Sequence, residues 1–388
     1  MTEPRSPHVK KVLYVVSNVT DSTEYQQLVD HWDRSRLELE FVFLNPVPDC
    51  AVQRYIRNKG FTSTTLIYQG RKDSIKAIRG LMAHYRTARP DIIHFNLLEA
   101  TFFGLIAAKL TRIGRTVYTR HHSTHNHKYH PIKGVLYDKL NNRLTDRIIA
   151  ITHSTEEVLV KWEKVPKEKV VLIYHGYDLD KVSQPDASKI EALCSKHGIR
   201  RNGAGKVIGM IARPFEWKGL DHSIPAFGDV LAVHPDAQLF IFNWKGTPHT
   251  ERYEALLAKL PAGSWKTVHF EPDVVDLFHV FDVFVHVPED QHAEAFGLVY
   301  AESLIAGVPC VFTRSGLMHD LDPARVKGVK VVPFKDRDAI ATRTLEWLKE
   351  APSKTQRAEF AKQNVDVLRT MISIERKMEA LYQLYGSM

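Results

Sequence analysis

The chain has 388 residues, 53 Lys and Arg against 45 Asp and Glu for a formal net charge of +8, and is 44% hydrophobic and 25% charged. That composition excludes a disordered chain, and no apolar run approaches the ~20 residues of a membrane span. The three cysteines, Cys50, Cys194 and Cys310, lie too far apart for a disulfide framework or a cysteine-rich zinc site, and the positive balance favours acidic partners such as phosphorylated substrates, anionic lipid or nucleic acid without deciding among them.

The first residues, MTEPRSPHVKK, place no apolar segment ahead of the first strand, so no signal peptide and a cytoplasmic location are expected. Short apolar runs then recur at helix-length intervals: KVLYVV from Lys11, LEFVFL from Leu39, TTLIY from Thr64, DIIHF from Asp91, RTVYT from Arg115, RIIAI from Arg147 and VVLIY from Val170. Runs that are apolar on both faces predict parallel strands buried under helices. After RTVYT comes TRHHSTHNHKYH, with His121, His122, His125, His127 and His130 but no carboxylate or cysteine near in sequence. Zinc needs a defined ligand set and geometry, so a solvated loop is expected for most of these histidines rather than a metal site. In HPIKGVLYDKLNNRLTDR, the residues Ile132, Val135, Leu136, Leu140 and Leu144 share a helical face flanked by Lys133, Lys139, Arg143 and Arg147. Packing of that face on its own sheet is the expectation, with docking on an anionic membrane surface as the minority reading.

A polar interval, DLDKVSQPDASK, precedes a second series: KVIGMIA from Lys206, QLFIFN from Gln238, KTVHF from Lys266, DVFVHV from Asp282, VPCVF from Val308 and VKVVP from Val329. Two strand and helix series with a break near 180 to 190 predict two doubly wound domains, with the cleft between them as the default site. The closing segment from Thr355 keeps helical spacing at Val365, Leu368, Ile372, Met378, Leu381 and Leu384 and reads as one long helix or two.

Two stretches of the second series carry chemistry. In MIARPFEWKG, Arg213 and Lys218 follow a strand and precede a helix, which makes an anion site suited to paired phosphates. In EAFGLVYAESLIAGVP, Glu294 precedes Gly297, which opens a helix, and Glu302 lies more than a turn inside it, with seven residues between the two glutamates. The two carboxylates would meet different parts of one extended ligand, accepting hydrogen bonds from hydroxyls while the intervening backbone N–H groups suit a diphosphate.

On these residues the chain resembles the family-4 retaining glycosyltransferases over most of its length. The resemblance implies an α/β fold of the GT-B type, two facing Rossmann-like doubly wound domains with an interdomain cleft. It assigns residues 1–180 to an acceptor-binding domain, 181–365 to a nucleotide-sugar donor domain, and 366–388 to a C-terminal helix crossing back to the first. It implies that Glu294 contacts the donor sugar, Glu302 the ribose, and Arg213 and Lys218 the diphosphate, with Phe296, Gly297 and Leu298 in the contacting turn and Val274 and Val275 at the base. His121, at the end of an N-terminal strand, would face the donor sugar. Arg120 and His122, with Asn18 and Thr20 of SNVTDSTEY in place of the family's glycine-rich turn, would serve the acceptor. YHGYDLDKV resembles the family's linker, with His175 and Tyr177 where Asn and Val are usual, so Asp178 to Asp180 is not read as a metal-binding D-x-D.

The implied activity is retaining transfer of a sugar from a UDP- or GDP-linked donor to a hydroxyl of a glycan or lipid-linked acceptor in bacterial surface polysaccharide or lipid-linked oligosaccharide synthesis. The acceptor attacks on the face that the diphosphate leaves, and no cofactor or metal ion is expected. An anionic membrane surface is a further partner, which would make the protein peripheral at the inner face of the plasma membrane, and nucleic acid is excluded because the positive charge is spread along the chain. The alternatives are a nucleotide-sugar epimerase or phosphorylase on the same fold, or a non-catalytic nucleotide-sugar binding protein.

Overall fold

The computed structural model describes residues 9–181, 186–200, 205–272 and 274–388. The chain divides into two compact units, one running up to Asp178 and completed by Met371–Met388, the other formed by Leu179–Thr370. The polar interval read as a linker lies partly outside the described residues.

The first unit contains β1 (Lys11–Ser17), α1 (Thr23–Asp30), β2 (Glu38–Asn45), α2 (Ala51–Asn58), β3 (Thr62–Ile67), α3 (Ser74–Ala88), β4 (Ile92–Asn96), α4 (Leu98–Thr111), β5 (Arg115–Arg120), α5 (His125–Tyr129), α6 (Lys133–Leu144), β6 (Arg147–Ala150), α7 (His153–Glu157) and β7 (Val170–Leu172). Its seven strands pair in the order β3-β2-β1-β4-β5-β6-β7, every ladder parallel. Side chains alternate across the sheet, so Tyr14, Val16, Phe41 and Phe43 build one core face while Leu13, Val15, Val42 and Phe95 build the other.

The second unit holds α8 (Ala187–His197), β8 (Val207–Ile211), α9 (Leu220–Val233), β9 (Gln238–Phe242), α10 (Thr250–Leu257), β10 (Trp265–Val268), α11 (Val274–Leu277), β11 (Val283–His286), α12 (Leu298–Ala306), β12 (Cys310–Phe312), α13 (Leu317–Asp320), β13 (Val329–Val331), α14 (Arg337–Glu350) and most of α15 (Lys354–Ile372). Six parallel strands pair as β10-β9-β8-β11-β12-β13. In both sheets the strand order reverses beside the first strand of the series, the topological position where open α/β sheets bind ligands.

The closing helical segment is two helices, broken at Ser373, whose side chain caps α16 (Ile374–Gly386) by accepting from the Arg376 N–H. From α16, Ile374, Met378, Leu381, Leu384 and Tyr385 enter the core of the first unit. The Tyr385 hydroxyl lies 2.8 Å from that of Tyr14 and 2.6 Å from His94 Nδ1, and His94 Nε2 lies 2.8 Å from Thr119 Oγ1.

One expectation holds only in part in the first unit. Leu144 packs against the core and Val135 is half-buried, but Ile132, Leu136 and Leu140 do not pack on the sheet and face outward, while Gly134, Asp138, Asn141 and Asn142 of α6 turn inward. The physical reason is electrostatic: Asp138 is held by the buried guanidinium of Arg120, and a helix has only one face to give.

Candidate functional site

In the second unit the carboxyl ends of β8, β11 and β12 carry the polar groups. Arg213 lies two residues beyond the end of β8, exposed, its guanidinium carbon 5.0 Å from the Phe215 ring centre. A short helical turn ends at Lys218, whose Nζ lies 4.2 Å from the Trp217 ring centre and donates to Glu294 Oε1 at 2.5 Å. His286, the last residue of β11, places Nε2 3.0 Å from the same Glu294 oxygen. Burial alone would raise the Glu294 carboxyl, but the Lys218 ammonium and the His286 imidazole overcome it and hold the group at about 2. Glu294 is therefore a buried carboxylate at neutral pH, and burial holds the His286 imidazole below its ordinary value.

The loop from β11 to α12 is fastened at several points. The Glu294 N–H donates to Ser315 Oγ at 3.0 Å, the Leu317 N–H to the Phe296 carbonyl at 2.8 Å, and the Tyr300 hydroxyl to the Thr313 carbonyl at 3.1 Å. Gly297 opens α12 at φ 77°, in the left-handed region that glycine tolerates. Gly219 opens α9 at φ 73°, where a Cβ would collide with the Val287 carbonyl. The free N–H groups of both helices thus lie next to a cation and a fixed carboxylate, an arrangement able to hold a diphosphate and a hydroxylated ring together.

Of the residues the sequence singled out here, the structure brings Lys218 and Glu294 into contact. Phe296 is buried beneath the loop, Leu298 is exposed at the start of α12, and Glu302 lies half-buried in its second turn. Val274 and Val275 open α11, with Val275 exposed. His286 was missed. Its signal was a polar residue at the carboxyl end of an otherwise apolar strand.

The first unit gathers its own cluster at the carboxyl ends of β1, β4, β5 and β7. His121 follows β5, with Nε2 3.1 Å from Asn96 Oδ1, and its ring stacks on His175 at 5.4 Å between centres. His175 Nδ1 lies 3.0 Å from Glu24 Oε1, which also accepts from Lys377 Nζ at 2.8 Å. Burial pulls the His121 imidazole down to about 3, so it is neutral at physiological pH and acts through hydrogen bonds. Glu24, His121 and His175 bring one ligand atom each within 4.8 Å of one another. Two stacked imidazoles and a carboxylate occupied by an ammonium are nonetheless poor geometry for a metal ion. Glu24 and Lys377 could not have been paired from sequence, since one opens α1 and the other sits in α16.

The acceptor assignments need correction at one residue. Arg120 is 1% exposed and donates to Asp138 Oδ2 at 3.0 Å and Glu163 Oε1 at 2.5 Å, so it has no surface to offer an acceptor. His122 lies 3.1 Å from Asp138 Oδ2 and His127 3.0 Å from Glu163 Oε1, which draws two of the histidines out of the solvated loop they were expected to form. Asn18, at φ 55°, and Thr20 are exposed beyond the end of β1.

Two units, each a parallel sheet with its polar groups at the carboxyl edge, define the GT-B fold, and solved structures agree. The chain resembles Anabaena Alr3699/HepE in complex with UDP and glucose at a TM-score of 0.77 and 18% identity, covering 98% of this chain and 100% of that one. A glycosyltransferase from Rickettsia africae matches at 0.74 and 14%, over 98% of both chains. WaaG, a glycosyltransferase involved in lipopolysaccharide biosynthesis, matches at 0.69 and 15%, over 97% and 99%. In sequence, residues 26–181 match the model of Glycosyltransferase Family 4 and residues 193–364 that of Glycosyl transferases group 1, so the chain belongs to the family-4-type glycosyltransferases. Among curated proteins, none matches it in sequence. No described helix is long and apolar enough to cross a membrane.

Proposed function

We propose that this glycosyltransferase takes a sugar from a nucleoside diphosphate donor, UDP- or GDP-linked, and transfers it with retention of configuration to a hydroxyl of a glycan or lipid-linked acceptor. The observation that carries the reading is the buried contact of Glu294 with both Lys218 and His286 beside the start of α12. In this reading Lys218 and Arg213 stabilise the departing diphosphate, supplying the positive charge that a divalent ion gives in other transferases. Glu294, ionised and fixed, accepts hydrogen bonds from the sugar, Glu302 takes the ribose, and His121 is the contribution of the first unit to the reacting sugar. The neighbour crystallised with UDP-glucose supports a uridine donor as the first to try.

The test is calorimetric titration of the purified protein with UDP-, GDP- and ADP-sugars, with and without EDTA, followed by NMR of the anomeric centre in the product. Saturable binding of one nucleotide class that survives EDTA and weakens at least tenfold in Glu302→Ala is expected, with the donor's anomeric configuration kept in the product. Absence of binding across the panel, or an inverted product, would refute the reading. A putative UDP-N-acetylglucosamine 2-epimerase from Listeria monocytogenes shares the fold at a TM-score of 0.63 and 13% identity. Conversion of the donor with no acceptor present would favour that activity instead.

A further inference from the structure

Lys377 closes the first turn of α16, just after the capping Ser373, at the end of a helix where the dipole disfavours a cation. Its Nζ reaches Glu24 Oε1 at 2.8 Å, and only 11% of its side chain is exposed. The backbone around it builds that seat. The Tyr177 N–H donates to the Ile372 carbonyl at 2.7 Å and the Ile374 N–H to the Tyr177 carbonyl at 2.9 Å, so the segment after β7 runs against the start of α16. Gly176 lets it run that close, because a Cβ there would come within 2.8 Å of Ile374 Cδ1 and 2.9 Å of Lys377 Cδ.

The seat delivers one ammonium to a cluster that holds one carboxylate. Glu24 Oε1 meets both Lys377 Nζ and His175 Nδ1, His175 stacks on His121, and His121 Nε2 meets Asn96 Oδ1. An amide oxygen only accepts. Nε2 of His121 therefore carries the ring proton, and Nδ1 keeps its lone pair.

Burial works to raise the Glu24 carboxyl, yet His175 and Lys377 hold it well below its ordinary value, so it stays charged. A carboxylate this near two imidazoles draws protons onto them unless another cation meets it. The groups that face His121 are Glu24 of α1, His94 of β4, the adjoining His122, His175 beyond β7 and Lys377 of α16. Glu24 is the one acid among them, and Lys377 is the cation set against it.

We infer that Lys377 is a positioning residue: by holding Glu24 it fixes His175 against His121 and keeps His121 a neutral ring whose Nδ1 lone pair can accept from a substrate hydroxyl. Lys377 acts through Glu24 and His175, not on the substrate. The state of the ring stands on the first unit alone, while its consequence for transfer rests on the part given to His121 in the proposed reaction.

Nitrogen-15 spectra of protein labelled in its histidines test this, with the His121 signals identified by their loss in His121→Gln. At about pH 6 the wild type should show a neutral His121 protonated at Nε2. In Lys377→Met the ring should titrate with a midpoint moved up toward the ordinary imidazole value of about 6.5, and E24Q/K377M should return the neutral ring because the carboxylate has gone as well. Transfer should follow the ring: at about pH 6, kcat of Lys377→Met falls about tenfold with the donor KM within about twofold, and E24Q/K377M recovers most of the loss. A lysine that only supported the fold would lower Tm on removal and leave the protonation of His121 where it was. Spectra of His121 that are alike in wild type and Lys377→Met between about pH 5 and 8 would overturn the inference, as would a wild-type ring protonated at Nδ1. Should Lys377→Met not fold, Lys377→Gln is read in the same way. The expected change of the ring in a protein that transfers no sugar would support the control of His121 and refute the proposed function, so the two failures are told apart.

Discussion

Lys218 and Glu294 each have two uses, and the two can be separated. In the structure they neutralise one another in a buried place; in the proposed reaction they hold opposite ends of the donor. Removing the cation alone, as in Lys218→Met, leaves a buried carboxylate with only the imidazole of His286 nearby, a loss of about 3 kcal/mol of stability on top of the loss of transfer. The double variant K218M/E294Q should recover most of that stability with no recovery of activity. Denaturant unfolding of the three proteins checks this, and a double variant no more stable than Lys218→Met would mean that the pair is not the coupled unit described. Lys218 and Glu294 were legible in sequence because a cation after the first strand of a unit and a carboxylate before a helix-opening glycine are local patterns. His286, Glu24 and Lys377 were not, because their meaning comes from side chains far along the chain that the fold delivers to them.

At the scale of the element, α6 shows where periodicity runs out. The spacing of its apolar residues identifies a helix correctly, but which face turns inward is set by Arg120, whose guanidinium must be met by Asp138 and Glu163 once β5 buries it. A run of helical spacing contains no record of a cation on the neighbouring strand. The strands suffered no such ambiguity, because buried on both faces they need only be apolar throughout. Arg120→Gln should accordingly destabilise the first unit by about 3 to 5 kcal/mol, the cost of leaving two buried carboxylates without their shared cation. Thermal unfolding checks it. A change under about 1 kcal/mol would show that Arg120 is not what holds the two carboxylates in place.

At the scale of the whole molecule, the two units respond to acid in sequence. His94 and His121 in the first unit are driven by burial from their ordinary value near 6.5 to about 3 and fold as neutral rings. The unfolded chain therefore binds more protons between those limits, so their contribution is complete above about pH 6.5 and is lost progressively as the pH falls toward 3. Glu294 in the second unit has the opposite chemistry: it is held at about 2, below its ordinary 4.5, so its contribution is complete above about pH 4.5 and fades only as the pH falls to 2. Hydrogen exchange near pH 4.5 should find the amides of β1, β4 and β5 losing protection while those of β8 and β11 keep theirs. Loss in the reverse order would contradict the burial described for the two histidines.

The return of α16 to the first unit also fixes an order of assembly during synthesis. The second unit is one continuous stretch of chain, whereas the first takes Tyr385, Leu381 and Met378 from the last helix into its core. The sheet of the second unit can form before α16 has been made, whereas the core face of the first that α16 covers stays open until that helix arrives. The unit whose strands come first in the chain is thus the one whose core closes after the other's.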